Sequence, residues 1–162
     1  MSRERPLPIP PGFLRQPVHL IALGLGAGCV PRAPGTAGTV VGVALFLAFR
    51  PMPVAEYLFV VAVMFAAGVL VCGRAAAALR AHDHPAIVWD EVVGLLIAMT
   101  AIPKTWPWVL SAFVLFRIFD IAKPWPIGWL DRQVSGGLGI MLDDAAAGLM
   151  ACACLHVTAY VI

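Results

Sequence analysis

Apolar runs typical of membrane helices cover most of this sequence, and the first of them, residues 36–49, is short unless it extends back through the Gly-rich turn. A bilayer takes about 20 apolar residues per helix, and the candidate spans are residues 36–49, 54–71, 86–102, 106–122 and 140–162. Charged residues make up only 12% of the chain, against roughly 25% in soluble domains. The sequence therefore predicts an all-α fold, a polytopic membrane helix bundle with about five membrane helices.

The segments outside these runs complete the predicted organisation. Residues 1–17 are polar and Pro-rich, lack the apolar core of a signal peptide, and are expected to form a flexible cytoplasmic arm. The Gly-rich run 18–30 is too short to span and is predicted to be interfacial or re-entrant. Residues 18–162 are predicted to form a single membrane-embedded domain. A net charge of +2 gives no footprint for nucleic acid.

The distribution of Lys and Arg orients the predicted bundle. With a cytoplasmic N-terminus, eight cations fall inside and two, Arg50 and Lys104, fall outside, as the positive-inside rule requires. The polar stretches 31–39, 82–91, 117–125 and 135–144 then lie together at the cytoplasmic face. This placement predicts one layer of acidic and basic side chains at that face.

Five carboxylates stand out in this layer. They are Asp90, Glu91, Asp120, Asp143 and Asp144. Intramembrane carboxylates are costly and usually mark ion or substrate sites, and oxygen ligands suit Mg²⁺. Adjacent acids point about 100° apart on a helix, so one member of each pair can be a ligand while its neighbour has another role. The alternative is that acids in a first turn only complement the helix dipole.

Two cations and a Gly-rich loop suggest a site for phosphate. Arg117 and Lys123 flank Asp120 at helical spacing, which favours phosphate binding or, alternatively, an internal ladder of salt bridges. Gly35, Thr36 and Gly38 precede or open a helix, where backbone N–H groups can approach an anion. The same residue types also occur at close helix contacts.

A His-rich loop lies just before the third apolar run. His82 and His84 flank Asp83 there, which is compatible with a ligand or acid–base role for His84. The alternative is that these are ordinary exposed loop histidines.

Four motifs give the sequence a family resemblance. PRAPGTAGT, HDHPAIVWDEVVG, FRIFDIAKPWPIGWLD and GGLGIMLDDAAAG occur in this order and resemble the phosphatidylglycerophosphatase A family over nearly the whole chain from residue 18. Departures from the family pattern are Thr39 where Ser is frequent, Ala122 where Trp is usual, and Gly128 where a larger residue is common. The family's polar motif positions match Gly35, Thr36, Gly38, Asp83, His84, Asp90, Glu91, Arg117, Asp120, Lys123, Asp143 and Asp144.

The resemblance implies Mg²⁺-dependent hydrolysis of phosphatidylglycerophosphate to phosphatidylglycerol and inorganic phosphate in the bacterial inner membrane. The expected metal ligands are Asp90, Glu91, Asp143 and Asp144. Asp120 would be a further ligand or the base.

The remaining site residues are expected to contact the phospholipid substrate: Gly35, Thr36, Gly38, His84, Arg117 and Lys123. The nucleophile is either water or a carboxylate such as Asp90, and only the second would leave a trappable acyl phosphate.

Two other functions are compatible with parts of the pattern. A small ion or metabolite transporter could use the same acids as an ion site. However, a transporter needs polar groups through the membrane depth, and here they gather at one face. A non-catalytic membrane scaffold would leave the acids unexplained.

Overall fold

The computed structural model describes residues 9–81 and 84–161, and in this part of the chain it contains helices and no β-strand. The predicted all-α class is therefore confirmed. Two short 3₁₀ segments, Phe13–Arg15 and Gly24–Cys29, flank the first α-helix. The α-helices are α1 Pro17–Ala22, α2 Pro34–Phe49, α3 Val54–Leu79, α4 Trp89–Ala98, α5 Trp106–Ala122, α6 Ile127–Gln133 and α7 Gly136–Val161.

Local sequence explains where the helices around the cavity begin and end. Pro34 begins α2, where its missing N–H costs nothing because the first helical N–H groups lack intrahelical partners. Helix α5 ends because Lys123 adopts the left-handed conformation (φ 42°) and Pro124 cannot continue the helix. Helix α3 ends at Arg80, which is also left-handed (φ 51°).

Helix α4 lies at the centre of the bundle. It packs against α2, α3, α5 and α7, and Val92, Leu95 and Leu96 have no exposed surface. The approach to α7 is especially close, because a Cβ atom added at Gly148 would overlap the carbonyl oxygen of Gly94. The core of the fold is therefore built around a helix that is enclosed by the others.

The enclosed helix is shorter than the sequence predicts. The apolar run 86–102 contains only ten helical residues, Trp89–Ala98, which extend about 15 Å at 1.5 Å per residue. That is half of a hydrocarbon core of about 30 Å. Two helices, Val54–Leu79 and Gly136–Val161, are long and apolar enough to cross a membrane, and Pro34–Phe49 is a shorter apolar helix. The predicted count of about five membrane helices is thus not confirmed.

The N-terminal segment packs onto this bundle over its described part. Within the predicted arm 1–17, Phe13 is 7% exposed and its ring stacks on His19 at 3.8 Å between centroids. The Gly-rich run forms α1 and a 3₁₀ segment, and the carbonyl oxygen of Ala22 accepts a hydrogen bond from the backbone N–H of Val88 at 3.0 Å. This bond ties the run to the residues that lead into α4.

Candidate active site

A cavity of about 250 Å³ opens at one end of the bundle. Helices α2, α4 and α7 begin around it, α5 ends there, and α6 covers one side. Its lining combines acidic, basic and small apolar residues. These residues are Ala33, Pro34, Gly35, Pro85, Ile87, Asp90, Glu91, Arg117, Asp120, Lys123, Asp131, Val134, Gly139, Ile140, Asp143 and Asp144.

Asp90 and Glu91 enter this cavity from the first turn of α4. Carboxylates are favoured there because the helix N-terminus carries partial positive charge. Asp90 is 8% exposed, and its Oδ1 accepts a hydrogen bond from the backbone N–H of Glu91 at 3.1 Å. The dipole accounts for acids at these positions, but it does not account for a third carboxylate from another helix beside them.

That third carboxylate is Asp144 of α7. One ligand atom each from Asp90, Glu91 and Asp144 lie within 4.8 Å of one another. Three like charges so close together in a buried site repel strongly unless protons or a cation offset them. Glu91 Oε2 and Asp144 Oδ2 are buried and have no hydrogen-bond partner among the described residues, although buried polar atoms normally have one.

This donor set fits a hard divalent cation. Mg²⁺ takes oxygen ligands and typically uses one or two carboxylates together with substrate phosphate and water. The two buried carboxylate oxygens without a partner are suitable ligands. We refer to Asp90, Glu91 and Asp144 as the three-acid group.

Asp143 does not belong to the three-acid group, because its side chain and that of Asp144 point in different directions from α7. Its Oδ2 accepts a hydrogen bond from Lys123 Nζ at 2.6 Å, whereas its neighbour Asp144 faces α4. Successive residues on a helix differ by about 100° in direction, so two adjacent acids serve different partners. The structure places Asp143, predicted as a metal ligand, in an ion pair.

Arg117 connects the three-acid group to α5. Its Nη1 lies 2.5 Å from Asp120 Oδ2 and 3.7 Å from Glu91 Oε1. Gly35, at the start of α2, allows this approach, because a Cβ atom there would overlap Glu91 Oε1 and lie 3.1 Å from Arg117 Nη1. The guanidinium group is therefore fixed beside the carboxylates by contacts from three helices.

Lys123 is the second cation of the cavity. Its Nζ donates to Asp131 Oδ1 at 2.7 Å in addition to Asp143. Burial lowers the pKa of the Lys123 amine, but the hydrogen bonds and charges of the two aspartates outweigh burial and raise this pKa above its ordinary value. The amine is therefore positively charged at neutral pH.

Asp131 is a cavity residue that the sequence did not predict. It is the final residue of FRIFDIAKPWPIGWLD, eight positions after Lys123, and it lies on α6 after the break at Pro124 and Pro126. Helical spacing relates residues only within one helix, so no periodicity connects Asp131 to Lys123. The signal that could have pointed to Asp131 was that it is an acidic residue within a motif rich in charged residues.

Most predicted site residues line the cavity, and three of them, Thr36, Gly38 and His84, do not. Thr36 is half-buried, and Gly38 packs on Val88, where an added Cβ atom would lie 2.7 Å from Val88 Cβ. His84 is 4% exposed, and its Nδ1 accepts a hydrogen bond from the backbone N–H of Ala86 at 3.2 Å. Asp83, a motif position, lies outside the described residues.

Comparison with known proteins identifies the family. The family profile described as Phosphatidylglycerophosphatase A matches residues 20–159. The chain belongs to the phosphatidylglycerophosphatase A family. The family resemblance seen in the sequence motifs is thereby confirmed.

Two relatives illustrate the similarity. Phosphatidylglycerophosphatase A of Escherichia coli is 42% identical over 144 residues, which cover 88% of this chain and 84% of the relative. Phosphatidylglycerophosphatase A of Haemophilus influenzae is 44% identical over 143 residues, which cover 85% of this chain and 86% of the relative. No solved structure matches the chain.

Family membership decides the class of function. The chain is an enzyme, a phosphatase that acts on a phosphate monoester, so the prediction of a phosphoric monoester hydrolase is confirmed. The comparisons give no support to the transporter alternative. The roles of the individual cavity residues in this family member stay predictions.

Proposed function

We propose that this chain hydrolyses the terminal phosphate of phosphatidylglycerophosphate at the cytoplasmic face of the bacterial inner membrane, with Mg²⁺ as cofactor. The bond between phosphorus and the glycerol oxygen breaks. Water supplies the new oxygen of inorganic phosphate and the proton of the phosphatidylglycerol hydroxyl. The observation that carries the proposal is that the three-acid group and Arg117 line one cavity. The names of the relatives supply the substrate.

The three-acid group would hold the metal ion. Glu91 Oε2 and Asp144 Oδ2, buried and without partners in the described part of the chain, would be ligands, and Asp90 would complete the protein's share. When bound, Mg²⁺ supplies positive charge that polarises the phosphoryl group and favours deprotonation of water. Asp143 would act through Lys123 instead of as a ligand.

Arg117 would contact the phosphoryl oxygens. Phosphoryl transfer is accelerated chiefly by positioning and by positive groups that stabilise charge on these oxygens in the transition state. Asp120 and Glu91 hold the guanidinium group in place before substrate binds, so little reorganisation is needed. Arg117 Nε, buried and without a hydrogen-bond partner among the described residues, has a donor to offer.

Asp120 would act as the general base or as a further metal ligand. It lines the same cavity, and its Oδ2 is paired with Arg117. A carboxylate oxygen beside the phosphoryl group could accept the proton of the attacking water. Proton transfer of this kind typically contributes about 10²- to 10⁴-fold.

We propose that the chain passes five times between the two ends of the bundle. Arg50 and Lys104 hydrogen-bond to each other's backbone carbonyl oxygen, so residues 50 and 104 meet at the end opposite the cavity. Helix α4 and residues 99–104 therefore make the third pass together, and α2, α3, α5 and α7 make the others. The cavity end carries most of the cations, and the positive-inside rule would place it and the N-terminus in the cytoplasm.

The test is release of inorganic phosphate from phosphatidylglycerophosphate by the purified full chain in detergent. We expect release with Mg²⁺ and none with chelator. At the Mg²⁺ concentration that just saturates the wild type, release should be strongly reduced in Asp90→Asn and Asp144→Asn proteins that elute as the wild type does. Glu56→Gln is the matched control, because Glu56 is exposed in the first turn of α3 at the opposite end. A wild-type protein that releases no phosphate with any divalent metal would overturn the proposal.

A further inference from the structure

Asp131 presents an unused hydrogen-bond acceptor at the cavity. Its side chain is 41% exposed, and Lys123 Nζ occupies its Oδ1 at 2.7 Å. Its Oδ2 makes no hydrogen bond to any residue in the described ranges. In the three-acid group, by contrast, Asp90 and Asp144 are buried and the Glu91 side chain is 15% exposed. Asp131 is therefore the exposed acid of this cavity, and the three-acid group is its deep part.

The charges around Lys123 make this position unsuitable for an anion. Asp131 and Asp143 together carry two negative charges, and Lys123 carries one positive charge. The set is therefore net negative and would repel a phosphate group. A hydroxyl group suits it better, since a carboxylate oxygen accepts a hydrogen bond readily and charge-assisted bonds are roughly twice as strong as neutral ones.

The position of Asp131 indicates which part of a substrate it meets. A phosphate monoester bound at the three-acid group would extend its alcohol portion toward the exposed part of the cavity, where Asp131 lies. In phosphatidylglycerophosphate the next group is a glycerol unit with a free secondary hydroxyl. We propose that Asp131 accepts a hydrogen bond from this hydroxyl and so selects a phosphoglycerol headgroup, an inference that rests on the proposed function.

Lys123 holds Asp131 in place for this contact. The Lys123 backbone is left-handed (φ 42°) at the end of α5, a conformation that is unfavourable for a non-glycine residue and persists where the surroundings enforce it. Its amine joins α6 to α7 through Asp131 and Asp143. The acceptor oxygen is thus oriented before the substrate arrives.

The experiment compares two substrates that differ only in the hydroxyl group. One is phosphatidylglycerophosphate, and the other is phosphatidyl-1,3-propanediol phosphate, which keeps both phosphates and lacks the hydroxyl. For the wild type we expect kcat/KM to favour the first by about tenfold, the value of one partly exposed charge-assisted hydrogen bond. Asp131→Ala should remove this preference by lowering kcat/KM for the hydroxyl substrate alone.

Two further variants make the result specific. Asp131→Asn keeps an acceptor oxygen and the side-chain shape, so it should retain part of the preference even if Asp131→Ala folds poorly. Glu56→Gln, a carboxylate change at the opposite end of the bundle, should retain all of it.

Each remaining outcome has a definite meaning. A wild-type enzyme with equal kcat/KM for both substrates overturns the inference alone, as does an Asp131→Ala enzyme that keeps the preference or loses both activities equally. A wild type that releases phosphate from neither substrate overturns the proposed function, and this inference with it.

Discussion

Lys123 Nζ lies 2.6 Å from Asp143 Oδ2, whereas the next residue on the same helix, Asp144, belongs to the three-acid group. Two adjacent carboxylates of α7 therefore have different partners. One neutralises a lysine at the cavity, and the other contributes to a cluster that fits a divalent cation.

This division predicts different effects of removing the two charges. Asp144→Asn should raise the Mg²⁺ concentration for half-maximal activity by about 100-fold or more, because replacing a ligand oxygen should cost at least as much as losing a hydrogen-bonding partner of a ligand, which typically costs about 10- to 100-fold. Asp143→Asn should lower kcat with little change in Mg²⁺ dependence, since its partner is Lys123. The measurement is phosphate release as Mg²⁺ is varied. Equal shifts in the Mg²⁺ requirement of both variants would contradict the separate roles.

Arg117 should be sensitive even to replacement by another cation. Its guanidinium group reaches Asp120 and Glu91 together, and lysine has neither the planar fork nor enough donors to replace it. We expect Arg117→Lys to lower kcat by about 10²-fold, comparable to loss of one donor that stabilises transition-state charge. Arg132→Lys, an exposed residue on α6, is the control. Wild-type kcat in Arg117→Lys would exclude a role for the guanidinium fork.

The sequence predicted which residues meet at one end of the bundle better than it predicted the membrane spans. Charge bias and the ends of apolar runs were sufficient to place Asp90, Arg117 and Asp144 in one layer, because helices that cross a slab bring their ends to common faces. The length of α4 was not predictable in this way. An apolar run indicates that a segment is buried, but it does not show whether protein or lipid buries it. Helix α4 is buried by other helices over ten residues, and its sequence is as apolar as that of a longer membrane span.

Side-chain directions also required the structure. Adjacency alone shows that Asp143 and Asp144 diverge, but it does not show which of them faces α4. Asp131 was missed because α6 approaches Lys123 only after the chain turns at two prolines. Contacts between separate helices leave no periodic signal in a single sequence.

Gly35 should not tolerate a side chain. A methyl group there would overlap Glu91 Oε1 and press on Arg117 Nη1, so Gly35→Ala should displace both groups and lower kcat by about tenfold or more, since small misplacements in a site are costly. Thr36→Ala is the comparison, because Thr36 is adjacent and does not line the cavity. Phosphate release at saturating Mg²⁺ measures both. A larger loss in Thr36→Ala than in Gly35→Ala would contradict this geometry.

The contact between α4 and α7 should limit the stability of the fold. Gly148 lies against the carbonyl oxygen of Gly94, and an added Cβ atom would overlap that oxygen. Backbone cannot rotate away as a flexible side chain can, so Gly148→Ala should force the helices apart and lower the free energy of unfolding by about 1–3 kcal/mol. Leu149→Ala on the same helix changes a residue that is 62% exposed and should have little effect. Thermal unfolding in detergent compares the two variants with the wild type.

The same separation of helices would move Asp144 away from Asp90, so Gly148→Ala should also raise the Mg²⁺ requirement. A variant with wild-type Tm and wild-type Mg²⁺ dependence would contradict the close packing of these helices.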